Sequence, residues 1–211
     1  MLSHCLCALR PSVAVRAGVC LIMADTEPLK PSNTGWLVAD VVPNTFAFSW
    51  SRTVVDPALL ALLADAQWQP YVVFPQPLTP GGRVQETVAA NANKRLNKRP
   101  LFILLDATWP EASKMFRKSP YLDPLPVLSL QSDQLSNYKL RRSQQEQHFC
   151  TSEVAALCLA LSGEAQAAQT LSAYLDVFTH HYLQAKQQRP VDLQSSAHQR
   201  LNSLHSRQGN D

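Results

Sequence analysis

Apolar and β-branched residues run almost unbroken from Val13 to Met23 and stop at the polar turn Asp25-Thr26-Glu27-Pro28, a pattern that predicts a buried strand. After the loop Lys30-Pro31-Ser32-Asn33-Thr34-Gly35, whose Asn33 and Thr34 are helix-capping types, Trp36 to Val42 predicts a short helix. Phe46 to Arg52 alternates like a second strand. Asp56-Pro57 then places a capping carboxylate before a proline and predicts a helix over Ala58 to Ala66. Pro70 to Phe74 reads as a third strand, broken by Pro75, Pro77 and Pro80. Thr79 to Arg83 reads as a turn, and Val84 to Asn97 as a helix with cations toward its C-terminal end. Pro100 to Leu105 is continuously apolar and ends at Asp106, as expected of a central strand covered on both faces. Pro110 opens a helix through Arg117, Pro126 to Leu130 is a further strand, and Gln131 to Gln145 a polar loop. Helices over Gln147 to Leu161 and Glu164 to Gln187 follow, and the polar residues 188–211 read as a flexible tail.

Strands alternating with helices predict an α/β fold with a mostly parallel sheet and flanking helices. In such sheets ligands collect beyond the carboxyl ends of the strands, so the loops after Phe74, Leu105 and Leu130 are where chemistry is expected. With 211 residues, 45% of them hydrophobic, one main domain over 13–187 is the natural organisation, preceded by a short segment over 1–12. The six glycines are too scattered to form a dinucleotide-binding fingerprint or a P-loop, which excludes those two ways of holding a nucleotide. No apolar stretch approaches the roughly 18 residues a membrane span needs. Arg10, Pro11 and Arg16 also interrupt the N-terminal apolar residues, so a cytoplasmic protein with no membrane partner is expected.

Five cysteines, an odd number, argue against a disulfide framework. Cys20, Cys150 and Cys158 read as small buried hydrophobes, while Cys5-x-Cys7, with His4 beside it, supplies only part of a four-ligand zinc site and leaves the metal ligands unassigned. No H-E-x-x-H pair and no G-x-S-x-G elbow is present. Net charge is only +3, yet ten of the nineteen Lys and Arg residues fall in three runs. These are Lys94, Arg95, Lys98 and Arg99; then Lys114, Arg117 and Lys118; then Lys139, Arg141 and Arg142. They bracket Asp106-Ala107-Thr108-Trp109, which leaves the central strand directly into a helix, and they point to a polyanionic partner. Trp109 and Tyr138 among those cations are candidate stacking surfaces for an unpaired RNA base. The plainer alternatives stand beside this: solvated helix faces for the cations, a helix cap for Asp106 or Thr108, and core packing for the aromatics.

The stretch Asp106-Ala107-Thr108-Trp109-Pro110, with Ala112, Lys114 and Met115, resembles the signature of the DTW-domain family. Lys30 to Gly35, Trp50-Ser51-Arg52, Phe74-Pro75, Ser136-x-Tyr138-x-Leu140-Arg141 and Thr151-x-Glu153 resemble further blocks of that family in the same order, from Cys5 to about Leu183. The resemblance implies a tRNA-uridine aminocarboxypropyltransferase, which moves the 3-amino-3-carboxypropyl group of S-adenosylmethionine to N3 of a uridine in the tRNA variable loop. It also implies a SPOUT-like fold whose C-terminal knot forms the cofactor pocket. Carried over by position, it makes Asp106, Thr108 and Trp109 the catalytic candidates, with Asp106 the candidate general base for N3. The cofactor-binding candidates are Ser32, Asn33, Thr34, Gly35, Arg52, Phe74, Pro75, Leu130, Ser136, Tyr138, Thr151 and Glu153. Lys94, Arg95, Lys98, Lys114, Arg117, Lys118, Arg141 and Arg142 are the candidate tRNA contacts. Relatives often carry a Cys-x-x-Cys pair ahead of the Cys-x-Cys; this sequence does not, so zinc stays a candidate without assigned ligands. Two other readings share parts of the pattern: an S-adenosylmethionine-dependent RNA methyltransferase, and a non-catalytic RNA-binding module.

Overall fold

Two of the apolar runs lie side by side and set the frame for the rest of the chain. The computed structural model describes residues 4–75, 82–88, 98–130 and 149–208. The strands are β1 (Gly18–Met23), β2 (Thr45–Ser49), β3 (Trp68–Val73), β4 (Val84–Gln85), β5 (Arg99–Asp106) and β6 (Val127–Leu128). The helices are α1 (Gly35–Val41), α2 (Pro57–Ala64), α3 (Trp109–Arg117), α4 (Thr151–Leu161), α5 (Ala165–Lys186) and α6 (Ser196–Gln208). Among the described residues the strands form one sheet in the order β2-β1-β5-β3-β6-β4, every pair parallel. The α/β fold with a parallel sheet and flanking helices is therefore as expected. The expected C-terminal knot is not assessable from the described residues, which leave out 131–148.

Strand β5 takes the central position its composition predicts. Cys20 of β1 and Val72 of β3 flank Ile103 in register, and all three are fully buried. Alternate residues feed two cores. Val19, Leu21, Phe102 and Leu104 face α1, α4, α5 and α6, while Cys20, Ile22, Leu101 and Ile103 face α2 and α3. Each such side chain contributes about 1.5–3 kcal/mol by leaving water, and burial on both faces explains why these strands carry no polar alternation.

Several boundaries move for identifiable reasons. Strand β1 begins at Gly18 rather than Val13, because the pairing partners Leu101 of β5 and Thr45 of β2 begin there. Helix α2 starts as expected, with Asp56 Oδ1 accepting from the Ala58 N–H at 2.8 Å. The helix expected from Val84 is corrected: Val84 and Gln85 are a strand opposite Val127 and Leu128. Arg83 holds it there, donating to the carbonyls of Leu122 and Leu125 at 2.5 and 2.9 Å. Residues 89–97 of that expected helix lie outside the described residues. Buried Cys20, Cys150 and Cys158 behave as the small hydrophobes expected; desolvation pushes the first two thiols up to about 12 and raises the third as well.

The stretch read as a flexible tail instead carries α6, which packs on α5 through Leu201 and His198, both buried. A relay of imidazoles fastens it. The Ser195 hydroxyl reaches His198 Nδ1 at 2.7 Å, His198 Nε2 meets His181 Nε2 at 2.9 Å, and His181 Nδ1 meets the His4 carbonyl at 3.2 Å. One hydroxyl at the head of the chain and one carbonyl at its end fix tautomers that leave every link a donor facing an acceptor. Burial lowers the proton affinity of both His181 and His198; the bond to the His4 carbonyl opposes this at His181 while His198 and His180 add to it, and at His198 the neighbouring His180 adds to it while Asp192 opposes it. A histidine depressed in the folded state adds stability above its ordinary value of 6.5 and loses it as the pH falls below that. The melting temperature is therefore expected to drop more steeply between pH 7.5 and 5.5 in the wild-type chain than in His198→Gln. Parallel slopes in a pH series of thermal melts count against the relay.

Candidate active site

Strand β5 ends by delivering Asp106 into the protein, where the residue is only 1% exposed. A carboxylate in that position needs hydrogen-bond donors, and two chain segments distant in sequence supply them. Asn33 Nδ2 donates to Oδ2 at 2.8 Å and the Thr151 hydroxyl donates to Oδ1 at 2.5 Å. Asn33 in turn accepts on Oδ1 from the N–H groups of Gly35 and Trp36, at 2.9 and 3.3 Å, and so caps α1. Thr34, the neighbouring capping candidate, instead accepts at its hydroxyl from the Ser152 N–H at 3.3 Å. Asp106, Asn33, Thr34 and Thr151 thus form one buried network joining the ends of β5, the loop before α1 and the first turn of α4.

Gly35 is part of the same arrangement. A Cβ there would stand 2.6 Å from Asp106 Oδ2 and 3.1 Å from Asn33 Oδ1, so only glycine lets the α1 backbone approach the carboxylate. Beside Thr151, the Ser152 hydroxyl is fully buried and has no hydrogen-bond partner among the described residues.

The motif's other two residues have separate surroundings. Thr108 is exposed, and its hydroxyl and N–H both donate to Glu111, at 2.5 and 3.1 Å. Those bonds cap α3 and hold the Glu111 carboxyl below the usual carboxylate range. Trp109 is half-buried with its ring 6.4 Å from Phe74, which stacks on Phe116 at 4.3 Å. Pro75 and Leu130, both half-buried, follow β3 and β6. Since β5, β3 and β6 are consecutive in the sheet, Ala107, Pro75 and Leu130 start three neighbouring loops at one edge. Glu153 accepts from the Cys150 N–H at 2.8 Å and caps α4, while Ser32 is half-buried just before the network.

Other candidates lie elsewhere. Arg52 is exposed beyond β2, at the edge of the sheet, with β1 between it and β5. Lys98 precedes β5 and Asp106 ends it, so the length of the strand, about 26 Å at 3.3 Å per residue, separates Lys98 from Asp106. Its place beside the motif in sequence therefore does not bring it to the same edge. Lys114, Arg117 and Lys118 are exposed on and just after α3, with Lys114 Nζ 5.9 Å from the Trp50 ring. Ser136, Tyr138, Lys94, Arg95, Arg141 and Arg142 lie outside the described residues.

Cys5 and Cys7 are exposed with their sulfurs 2.8 Å apart. Among the described residues no three His, Cys, Asp or Glu side chains are arranged to hold a metal ion, and no helix is long and apolar enough to cross a membrane. The sequence reading missed the unsatisfied hydroxyl of Ser152, because its only signal is an adjacent Thr in a block that reads as an ordinary helix start.

Compared with known families, the chain matches the family model described as the DTW domain over residues 1–183. No solved structure matches it.

Proposed function

The chain belongs to the DTW-domain family, a membership consistent with a tRNA-modifying role, and on that premise we propose that it transfers the 3-amino-3-carboxypropyl group of S-adenosylmethionine to N3 of a uridine in the tRNA variable loop. The observation that carries the reading is the buried Asp106 network, which holds the carboxyl end of β5 against the loop before α1 and the first turn of α4. Beside it begin three neighbouring loops of a parallel sheet, the edge at which such folds hold nucleotides.

The residues present fit this co-substrate. The half-buried Trp109 ring offers apolar surface for an adenine ring, and the Ser152 hydroxyl, unpartnered among the described residues, offers a buried hydrogen bond next to Thr151, which donates to Asp106. S-adenosylmethionine, when bound, supplies an activated carbon–sulfur bond, so no covalent attachment to the protein is required. The protein's task is then aim: the methylene of the amino-acid arm, rather than the methyl, must face N3.

Asp106 serves that aim by position. Both carboxylate oxygens are already engaged, Oδ2 by the Asn33 amide and Oδ1 by the Thr151 hydroxyl, and the residue is buried. Those bonds favour Asp106 as the group that orients Asn33 and Thr151 over the general base expected from the motif. Lys114, Arg117 and Lys118 remain proposed phosphate contacts on the exposed face beyond α3.

The test is incubation with unmodified tRNA and S-adenosylmethionine followed by mass spectrometry of the nucleosides. Uridine carrying the mass of the aminocarboxypropyl group is the expected product. A methyl gain would make the protein a methyltransferase, and calorimetry with no S-adenosylmethionine binding at millimolar ligand would make it an RNA-binding module.

A further inference from the structure

A cavity of about 390 Å³ opens where the N-terminal segment, the loop before α1, α1 itself and α5 meet. Its walls include Leu37 and Phe178, its polar groups include Arg10, Lys30 and Asp40, and Trp36 borders it. The Asp106 network does not use this space, yet Asn33 belongs to both: it lines the cavity and donates to Asp106 at 2.8 Å.

Trp36 is the unusual member. Its indole N–H donates to the Pro28 carbonyl at 3.3 Å, which fixes the ring, while 45% of the residue stays exposed. A tethered but uncovered indole is a ready stacking surface. The charges around it cancel. Arg10 pairs with Asp40 at 2.8 Å, Asp40 also accepts from the Tyr174 hydroxyl at 3.1 Å, and Lys30 pairs with Glu27. A balanced rim gives no net attraction for a phosphate. It does offer guanidinium donors and a carboxylate acceptor at the edge of a flat apolar surface, which is what the hydrogen-bonding edge and the face of a nucleobase require. The volume lies within the range of small-ligand sites.

We propose that this cavity holds an unpaired nucleobase of the RNA substrate, stacked on Trp36 with its edge toward Arg10 and Asp40. The proposal rests on the reading that the substrate is RNA, and places a second recognition point one residue away from the candidate active site.

The experiment measures the affinity of unmodified tRNA for the wild-type chain, Trp36→Ala and Trp36→Phe across a salt series. Thermal melts confirm that the variants fold. Trp36→Ala is expected to weaken binding between fivefold and a hundredfold, the range of one lost base stack, with Trp36→Phe within about threefold of wild type. The salt slope should stay unchanged, because no phosphate contact is removed. Binding by Trp36→Ala within twofold of wild type would overturn the proposal, as would a shallower salt slope. Nucleoside analysis of the wild-type reaction on the same tRNA separates the two readings. Transfer with Trp36→Ala binding unchanged retires the cavity and keeps the activity. Trp36-dependent binding without transfer retires the activity and keeps the cavity.

Discussion

Replacing Asp106 by Ala is expected to cost the protein about 3–5 kcal/mol of stability and to abolish transfer. Removing the carboxylate strands the Asn33 amide and the Thr151 hydroxyl, which donate to it across 73 and 45 residues of sequence, in a site that water does not reach. Each stranded donor costs about 1–3 kcal/mol, and loss of one member of a buried charged network falls in the same total range. For a chain of this size that corresponds to a melting temperature lower by roughly 6–20 °C. Asp106→Asn separates positioning from proton transfer. Its amide keeps an oxygen for Asn33 and turns a donor toward Thr151, whose hydroxyl rotates to accept, so most of the stability should survive. If Asp106 orients its neighbours, Asp106→Asn retains part of the transfer rate with the same pH dependence. If it accepts the N3 proton, that variant loses transfer and the acidic limb of the rate profile while melting and cofactor binding stay near wild type. Thermal melts, calorimetry with S-adenosylmethionine and single-turnover rates on tRNA decide between the two.

How much of this was legible beforehand depends on the range of the interactions. Strand β5 could be read because a continuously apolar run with a charge at each end has few other homes, and α2 because Asp56-Pro57 states its own start. Asp106 could be placed at the ligand edge because that edge follows from a parallel sheet. Its partners could not. Nothing in the spacing of Asn33, Thr34 and Thr151 shows that they converge, since their contact depends on β1 and β5 pairing and on α4 packing over them. The same limit explains β4, where Val84 and Gln85 fit a helix locally and a strand only once Val127 and Leu128 lie alongside. Helix α6 was hidden differently. A polar stretch reads as loose until Leu201 and His198, three residues apart and so on one helical face, find α5. Lys98 shows the converse limit, since closeness to the Asp106 motif in sequence does not set closeness in space: it stands at the opposite end of β5.

Gly35→Ala should destabilise the protein by about 2–4 kcal/mol, whereas the same exchange on an open helix surface stabilises by roughly 0.5–1 kcal/mol. The new Cβ would stand 2.6 Å from Asp106 Oδ2, well inside contact distance, and 3.1 Å from Asn33 Oδ1. Neither atom can retreat without breaking a bond, because Oδ2 accepts from Asn33 and Oδ1 of Asn33 accepts from the α1 N–H groups. The cost is therefore that of a displaced network added to an overpacked site, and it depends on the carboxylate being present. A double-mutant cycle exploits this dependence. In an Asp106→Ala background the added methyl meets space instead of an oxygen, so Gly35→Ala should then cost less than about 1 kcal/mol. A coupling of at least 1 kcal/mol between the two positions is expected from denaturant unfolding of the four chains. Additivity within about 0.5 kcal/mol would mean that Gly35 and Asp106 do not share the contact, and would remove the reason for a glycine at the start of α1.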